Sequence, residues 1–390
     1  MRYCSFARFP LLVVMLLTCG ASPGLHAGYS DMVAAFQTVS ASSSFPVAGK
    51  TFDDIEETFG PRAQPSQAGS YDWHRGIDID GTLGDDILNV YDGVFEKIDI
   101  SASAGNYVVI KHTLPVSVDF GTNPDKHNWT TFYTYYLHLT NESVAHVSNA
   151  GWIQGSAISA GTVLGYMGDT GSSGGTAYAP HLHFELRFGT SNPLENQING
   201  DGLTATDAWF DPHVHPMLLF DPENVPLRGA SIGTTYTQSL VLQPPGTTAG
   251  GQTFLYTSSV DEVPALNGFK VEVLLAGTET VVRSHELDFN QRIGFDAATN
   301  ALLDTRDLTK PYIAPLAFTD EQTDYKSAVV VPDSWLGAYL SPDYDLRVTA
   351  TDTWLNASVL TVSAVPEPAH IAALLGLFGL LMAARRQRPV

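Results

Sequence analysis

The 390-residue chain is poor in cysteine, in positive charge and in long apolar runs away from its ends. Its two cysteines, Cys4 and Cys19, both fall within the first twenty residues, so a body freed of its leader has neither thiol nor disulfide and must be stabilised by packing or metal. Lys and Arg number 20 against 41 Asp and Glu, a net charge of −21. That balance excludes a phosphate-tracking nucleic-acid binder, which needs a basic stripe to release counterions. Charged residues make up 16% and hydrophobic ones 44%, with no long block of one sign, which excludes disorder of the whole chain. The length exceeds one average domain and predicts two.

Both ends carry export patterns. Arg2 and Arg8, the apolar run Leu11 to Leu17 and the small residues up to Leu25-His26-Ala27 have the three-part build of a secretory signal, with cleavage by signal peptidase expected after Ala27. At the other end, Val365-Pro366-Glu367-Pro368 precedes an apolar run from Ile371 to Ala384 and then Arg385-Arg386-Gln387-Arg388. The apolar part is short of the roughly 20 residues that span a bilayer comfortably, and the arginines would stay cytoplasmic. This order resembles the PEP-CTERM sorting signal of Gram-negative bacteria, which implies recognition by an exosortase and a transient inner-membrane association. Removing five arginines and one glutamate with these ends leaves 15 basic against 40 acidic residues, a net −25.

Between the ends, short β-branched and aromatic runs alternate with Gly, Asn, Asp and Ser: Gly93 to Ile98, Asn106 to Lys111 and Phe132 to Leu139, then, beyond the proline-bearing Asp221 to Pro226, Phe269 to Leu275, Ser327 to Val331, Leu346 to Ala350 and Val359 to Val362. These read as antiparallel strands, and long helical periodicity is absent. The predicted organisation is a signal peptide (1–27), an N-terminal linker (28–50), a mainly β domain (51–220), a β-sandwich accessory domain (221–365) and the sorting tail (366–390).

Chemistry concentrates in the first domain. Most of the 12 histidines lie between His74 and His215, and two groups have metal-ligand spacing: His74-Arg75-Gly76-Ile77-Asp78 and His181-Leu182-His183-Phe184-Glu185. In a strand, residues two apart share a face, so His181 and His183 project together while Leu182 and Phe184 enter the core. His74 and Asp78 can likewise share a face. Two imidazoles with a carboxylate suit a catalytic zinc that keeps one position for water. His138, in the aromatic strand Tyr133 to Leu139, can face the same cavity. Glu185 either orients a ligand from behind or is a solvent-facing strand carboxylate. His112, His127 and His146 read as surface or hydrogen-bonded histidines, and so do His213 and His215 despite their i, i+2 spacing.

The run from Phe59-Gly60-Pro61-Arg62 to Asp211-Pro212 resembles the lysostaphin-like, or LytM-like, zinc metallopeptidases. The landmarks are His74-x-Gly76-x-Asp78, Gly105-Asn106-Tyr107-Val108-Val109-Ile110, Tyr136-Leu137-His138-Leu139, Leu164-Gly165-Tyr166-Met167-Gly168, Thr170-Gly171 and His181-Leu182-His183-Phe184-Glu185. The resemblance implies an antiparallel β domain of the duplicated-hybrid-motif type, one Zn2+ per chain bound by His74, Asp78 and His183, and catalytic, non-ligand roles for His138 and His181. The loops at 112–131 and 174–179 depart from the family by their length and are expected to rim the groove.

The expected function is an exported metalloendopeptidase that hydrolyses peptide cross-links of peptidoglycan; the Gram-negative sorting tail favours the D-alanyl to diaminopimelate bond. Its expected location is the periplasm, outer surface or matrix of a Gram-negative bacterium. The alternatives are a noncatalytic wall-binding or regulatory module, as some relatives are, and a zinc protease of secreted matrix proteins.

Overall fold

A computed structural model describes residues 29–63, 71–118, 129–173, 176–188, 213–221, 238–242, 251–258, 265–289, 295–296, 301–302, 308–314 and 326–362. The expected signal peptide, the sorting tail and His127 lie outside them. No helix among the described residues is long and apolar enough to cross a membrane.

The protein is mainly β and antiparallel. Its N-terminal half runs α1 (Tyr29–Ser40), β1 (Ile55–Glu57), β2 (Gly60–Ala63), β3 (Tyr71–His74), β4 (Ile77–Asp80), β5 (Asp86–Leu88), β6 (Gly93–Ser101), β7 (Gly105–Val118), β8 (Trp129–Leu139), α2 (Asn141–Ala150), β9 (Ala157–Ile158), β10 (Val163–Tyr166), β11 (Ser172–Ser173), β12 (Thr176–Ala177), β13 (His181–Phe188) and β14 (His213–Val214). An eight-stranded sheet in the order β1-β4-β13-β8-β7-β6-β9, with β14 added on β13, forms its frame. Both faces of the central strands are covered, which explains the unbroken apolar run Tyr107 to Ile110. Val108 and Ile110 enter the main core with Phe132 and Tyr136, whereas Tyr107 and Val109 pack on the opposite face with Tyr135 and Leu137. Each such buried side chain contributes about 1.5–3 kcal/mol.

The segment expected as a linker contains α1. Tyr29, Met32, Val33, Phe36 and Val39 recur at helical spacing and are all buried, and the Phe36 ring meets Phe132 edge-on at 5.2 Å. An apolar stripe on one helix face cannot remain in solvent, so the helix closes the main core.

The C-terminal half runs β15 (Gln238–Leu242), β16 (Gly251–Ser258), β17 (Leu266–Leu275), β18 (Val281–Asp288), β19 (Phe295–Asp296), β20 (Ala301–Leu302), β21 (Tyr312–Ala314), β22 (Lys326–Pro332), α3 (Asp333–Leu336), β23 (Tyr344–Asp352) and β24 (Ala357–Val362). Two four-stranded sheets, β15-β16-β22-β21 and β18-β17-β23-β24, face one another. The alternating sets Phe254/Tyr256, Val329/Val331, Phe269/Val271/Val273 and Leu346/Val348/Ala350 supply their shared interior, as the period of two requires in a sandwich. The two hydrophobic clusters exchange members: Phe59 lies in the C-terminal one, and Ala265 and Trp354 lie in the N-terminal one.

Candidate metal centre

Strand pairing brings the expected ligands together from across 109 residues of sequence. In the β4–β13 ladder, His183 is the direct partner of Asp78 and His181 that of Asp80. His74 ends β3, opposite Gly60 of β2. His183 Nδ1 lies 2.8 Å from Asp78 Oδ1, His74 Nε2 lies 3.1 Å from the same oxygen, and the two ring nitrogens are 3.0 Å apart. Among the described residues, these three form the group that could hold a metal ion.

The other nitrogen of each ring is tied down. His74 Nδ1 donates to Thr58 O at 2.8 Å, and His183 Nε2 donates to Glu185 Oε1 at 3.0 Å. When the rings are neutral, those two donations leave the lone pairs of His74 Nε2 and His183 Nδ1 pointing at one carboxylate. Burial alone would raise the Asp78 carboxyl, but the His74 and His183 rings outweigh it and hold it well below the usual range. Burial opposes a charged His183, yet Asp78 and then Glu185 lift its pKa to about 9. The two ring nitrogens and the Asp78 carboxylate favour a positive charge between them, which a proton on His183 or a metal ion supplies. Two imidazoles and one carboxylate are a donor set that zinc accepts, so the residues fit the expected metal.

Glu185 is buried at 3% exposure, which decides its role in favour of orienting His183 and against a solvent-facing carboxylate. Burial raises its pKa, but Arg187 first, then His183 and His213, hold it well below the carboxylate range. Arg187 donates to Glu185 Oε2 from Nε at 2.6 Å and also from Nη2. The guanidinium is fully buried and lies 4.3 Å from the Tyr135 ring centroid, a cation–π contact. Sequence reasoning missed Arg187, although it continues the one-face series His181, His183, Glu185 at a spacing of two.

His138 and His181 stand beside the ligand group. Their ring centroids are 4.7 Å apart, and His138 lies 5.8 Å from His183. Each is again held by its Nδ1, His138 at 2.9 Å to Thr170 O and His181 at 2.8 Å to Ala179 O. His181 Nε2 faces Asp78 Oδ1 at 3.8 Å. His138 reaches the cavity by a route that simple alternation does not describe. Between Asn106/Leu139 and Val108/Tyr136 the β7–β8 register slips, and His138 adopts φ +64°. This left-handed backbone costs about 1–2 kcal/mol for a non-glycine residue and turns the ring out of the strand's pleat. Burial, then the neighbouring His183 and His181, push its pKa down to about 3, so the ring is neutral. Tyr178 packs on His138 at 4.2 Å between centroids.

The remaining described histidines make structural contacts. His112 is buried between Asp92 O at 3.1 Å and Thr134 Oγ1 at 2.7 Å, and His146 contacts Val163 O at 2.9 Å. His213, opposite Arg187 in the β13–β14 pairing, lies 3.8 Å from Glu185. His215 Nδ1 accepts from the Met217 amide at 3.3 Å.

The family model described as Peptidase family M23 matches residues 72–196, the stretch that supplies every ring of this centre. Among curated proteins, the chain is 31% identical over 135 residues to the peptidoglycan DD-endopeptidase ShyC of Vibrio cholerae, covering 35% of this chain and 25% of that protein. It is 30% identical over 146 residues to ShyA of the same organism, also a peptidoglycan DD-endopeptidase, covering 37% and 27%. The match thus spans about a quarter of the length of these relatives. Among solved structures, a zinc-containing peptidase from Vibrio cholerae aligns at 27% identity with a TM-score of 0.27, covering 36% of this chain and 35% of that one. Residues 72–196 are thus similar to Peptidase family M23.

Proposed function

We propose that the chain is an exported zinc metalloendopeptidase that cuts peptide cross-links of peptidoglycan, at the D-alanyl to diaminopimelate bond of a Gram-negative wall. The observation that carries this reading is the convergence of His74, Asp78 and His183, with the rings of His138 and His181 alongside. The similar DD-endopeptidases support the substrate class, and the leader and tail patterns support export.

His74 Nε2, His183 Nδ1 and an Asp78 oxygen would hold the zinc. When bound, it supplies Lewis acidity and lowers the pKa of water toward neutrality. His138 and His181 keep their protons on Nδ1, donated to Thr170 and Ala179 carbonyls, so both resting rings offer Nε2 as a base. One Nε2 accepts the proton of the attacking water. The imidazolium so formed then donates from Nε2 to the carbonyl oxygen as negative charge develops there, or to the departing amine. Glu185 and Thr58 fix the two ligand rings so that neither reorients during this exchange. The same reading keeps the domain order given above, with α1 joining the segment expected as a linker to the peptidase domain, and with the leader and tail removed by signal peptidase and an exosortase.

The test is release of uncross-linked muropeptides from diaminopimelate-type sacculi by the zinc-loaded protein, with His138→Ala as control. Zinc binding without release would redirect the assignment to a protease of matrix proteins, and absence of both would leave a noncatalytic module.

A further inference from the structure

We infer that the C-terminal β-sandwich forms part of the metal centre, because its core anchors the backbone that orients His74, with Phe59 and Phe289 as positioning residues. The inference rests on the zinc reading above. Three consecutive residues carry it. Thr58 accepts the His74 Nδ1–H at 2.8 Å, which is what presents Nε2 to the ligand group. The next side chain, Phe59, is 1% exposed and is buried with Phe269, Phe289, Ile313 and Leu336, all residues of the C-terminal half. Gly60 then pairs with His74 across β2–β3. It does so at φ +103°, with a would-be Cβ only 3.0 Å from the Phe289 ring, so the ring is packed directly against this backbone.

The contact is reciprocated elsewhere along the junction. Trp354, from the turn after β23, is buried in the N-terminal core and donates its Nε1–H to Phe220 O at 3.1 Å. Tyr29 of α1 donates its hydroxyl to Thr353 O at 2.9 Å. Each half therefore inserts a ring into the other's core. A module tethered by a linker would leave these apolar surfaces exposed. Because interiors are close-packed, a void opened at Phe289 is relieved by movement of Phe59, and the Thr58 carbonyl moves with it. The His74 ring then loses its fixed tautomer and orientation. Outer partners of this kind are worth roughly 10–100-fold in metal affinity.

The test compares zinc affinity, by chelator competition on the folded full chain, for wild type, Phe59→Ala, Phe289→Ala and Val330→Ala. Val330 is buried in a separate small cluster of the sandwich with Ala328, so its truncation weakens the same unit without touching Phe59. The expected result is zinc binding weakened at least about ten-fold in both phenylalanine variants and unchanged in Val330→Ala, whose Tm alone falls. Where an alanine variant does not fold, Phe59→Leu and Phe289→Leu keep the apolar bulk and are expected to weaken binding in the same direction. Phenylalanine variants that lose thermal stability yet bind zinc as tightly as wild type would overturn the inference while leaving the zinc reading intact. A wild type that binds no zinc would overturn both.

Discussion

Replacing Arg187 by methionine removes the guanidinium that donates to Glu185 Oε2 twice, in a place where water cannot substitute for it. Breaking a buried ion pair from one side costs about 3–5 kcal/mol, because the stranded charge keeps its desolvation penalty. Loss of the stacking on Tyr135 adds about 1–2 kcal/mol. Urea unfolding of Arg187→Met is therefore expected to show a stability loss of about 4–7 kcal/mol. Converting Glu185 to Gln in the same molecule takes away the stranded charge, and replacing both members of such a pair is often close to neutral. The double variant should regain about 2–3 kcal/mol of the lost stability, read as non-additivity in the cycle. It should not regain metal affinity. His183 would then donate to a neutral amide oxygen instead of a carboxylate held by a guanidinium, and zinc should bind about 10–100-fold more weakly than in wild type. An Arg187→Met protein less than about 1 kcal/mol below wild type, or a double variant with wild-type zinc affinity, would refute the reasoning.

Further predictions address the centre and its surroundings. Alanine at His74, Asp78 or His183 should remove bound zinc and activity together, whereas His138→Ala should retain zinc by metal analysis and lose about 10²–10⁴-fold in kcat; metal loss from His138→Ala would overturn the division of roles. Gly168→Ala would place a Cβ 2.5 Å from His138 O and Thr140 N, so the bulge must shift, and turnover should fall about 100-fold while zinc stays bound. His112 is buried, and burial lowers its pKa from 6.5 to about 4 against the help of Asp92. Below pH 6.5 the unfolded chain takes up a proton that the folded chain refuses, so this histidine's contribution is complete above about pH 6.5 and is lost as pH falls through 4, a change of about 3 kcal/mol. The urea midpoints of wild type and His112→Gln should therefore diverge across that interval; parallel curves would show that His112 is not buried neutral.

Much of the centre was legible because strand periodicity is a local property. His181 and His183 share a face by a spacing of two, and a ladder that pairs His183 with Asp78 needs only the hydrophobic residues between them to choose the core side. His138 was read as able to face the cavity, and its ring lies beside His181 and His183, but its left-handed backbone was not visible, since a bulge is set by the partner strand's register. Arg187 escaped notice because a charged residue in the polar phase of a strand normally faces water; only the three-dimensional cover given by β14, Glu185 and Tyr135 buries it. The stripe of α1 was hidden in a short segment beside the leader, where twelve residues give few helical repeats. The exchange of Phe59 and Trp354 between the cores depends on contacts hundreds of residues apart in sequence, which no local pattern encodes.

The measurement that bears most directly on the proposed activity is mass spectrometry of peptides released from purified diaminopimelate-type sacculi by the zinc-loaded protein, beside His138→Ala and a chelated sample. The account predicts uncross-linked muropeptides with a new D-alanyl carboxylate and a free diaminopimelate amine, from the zinc-loaded wild type only. Intact cross-links after treatment with a protein that holds its zinc would contradict it.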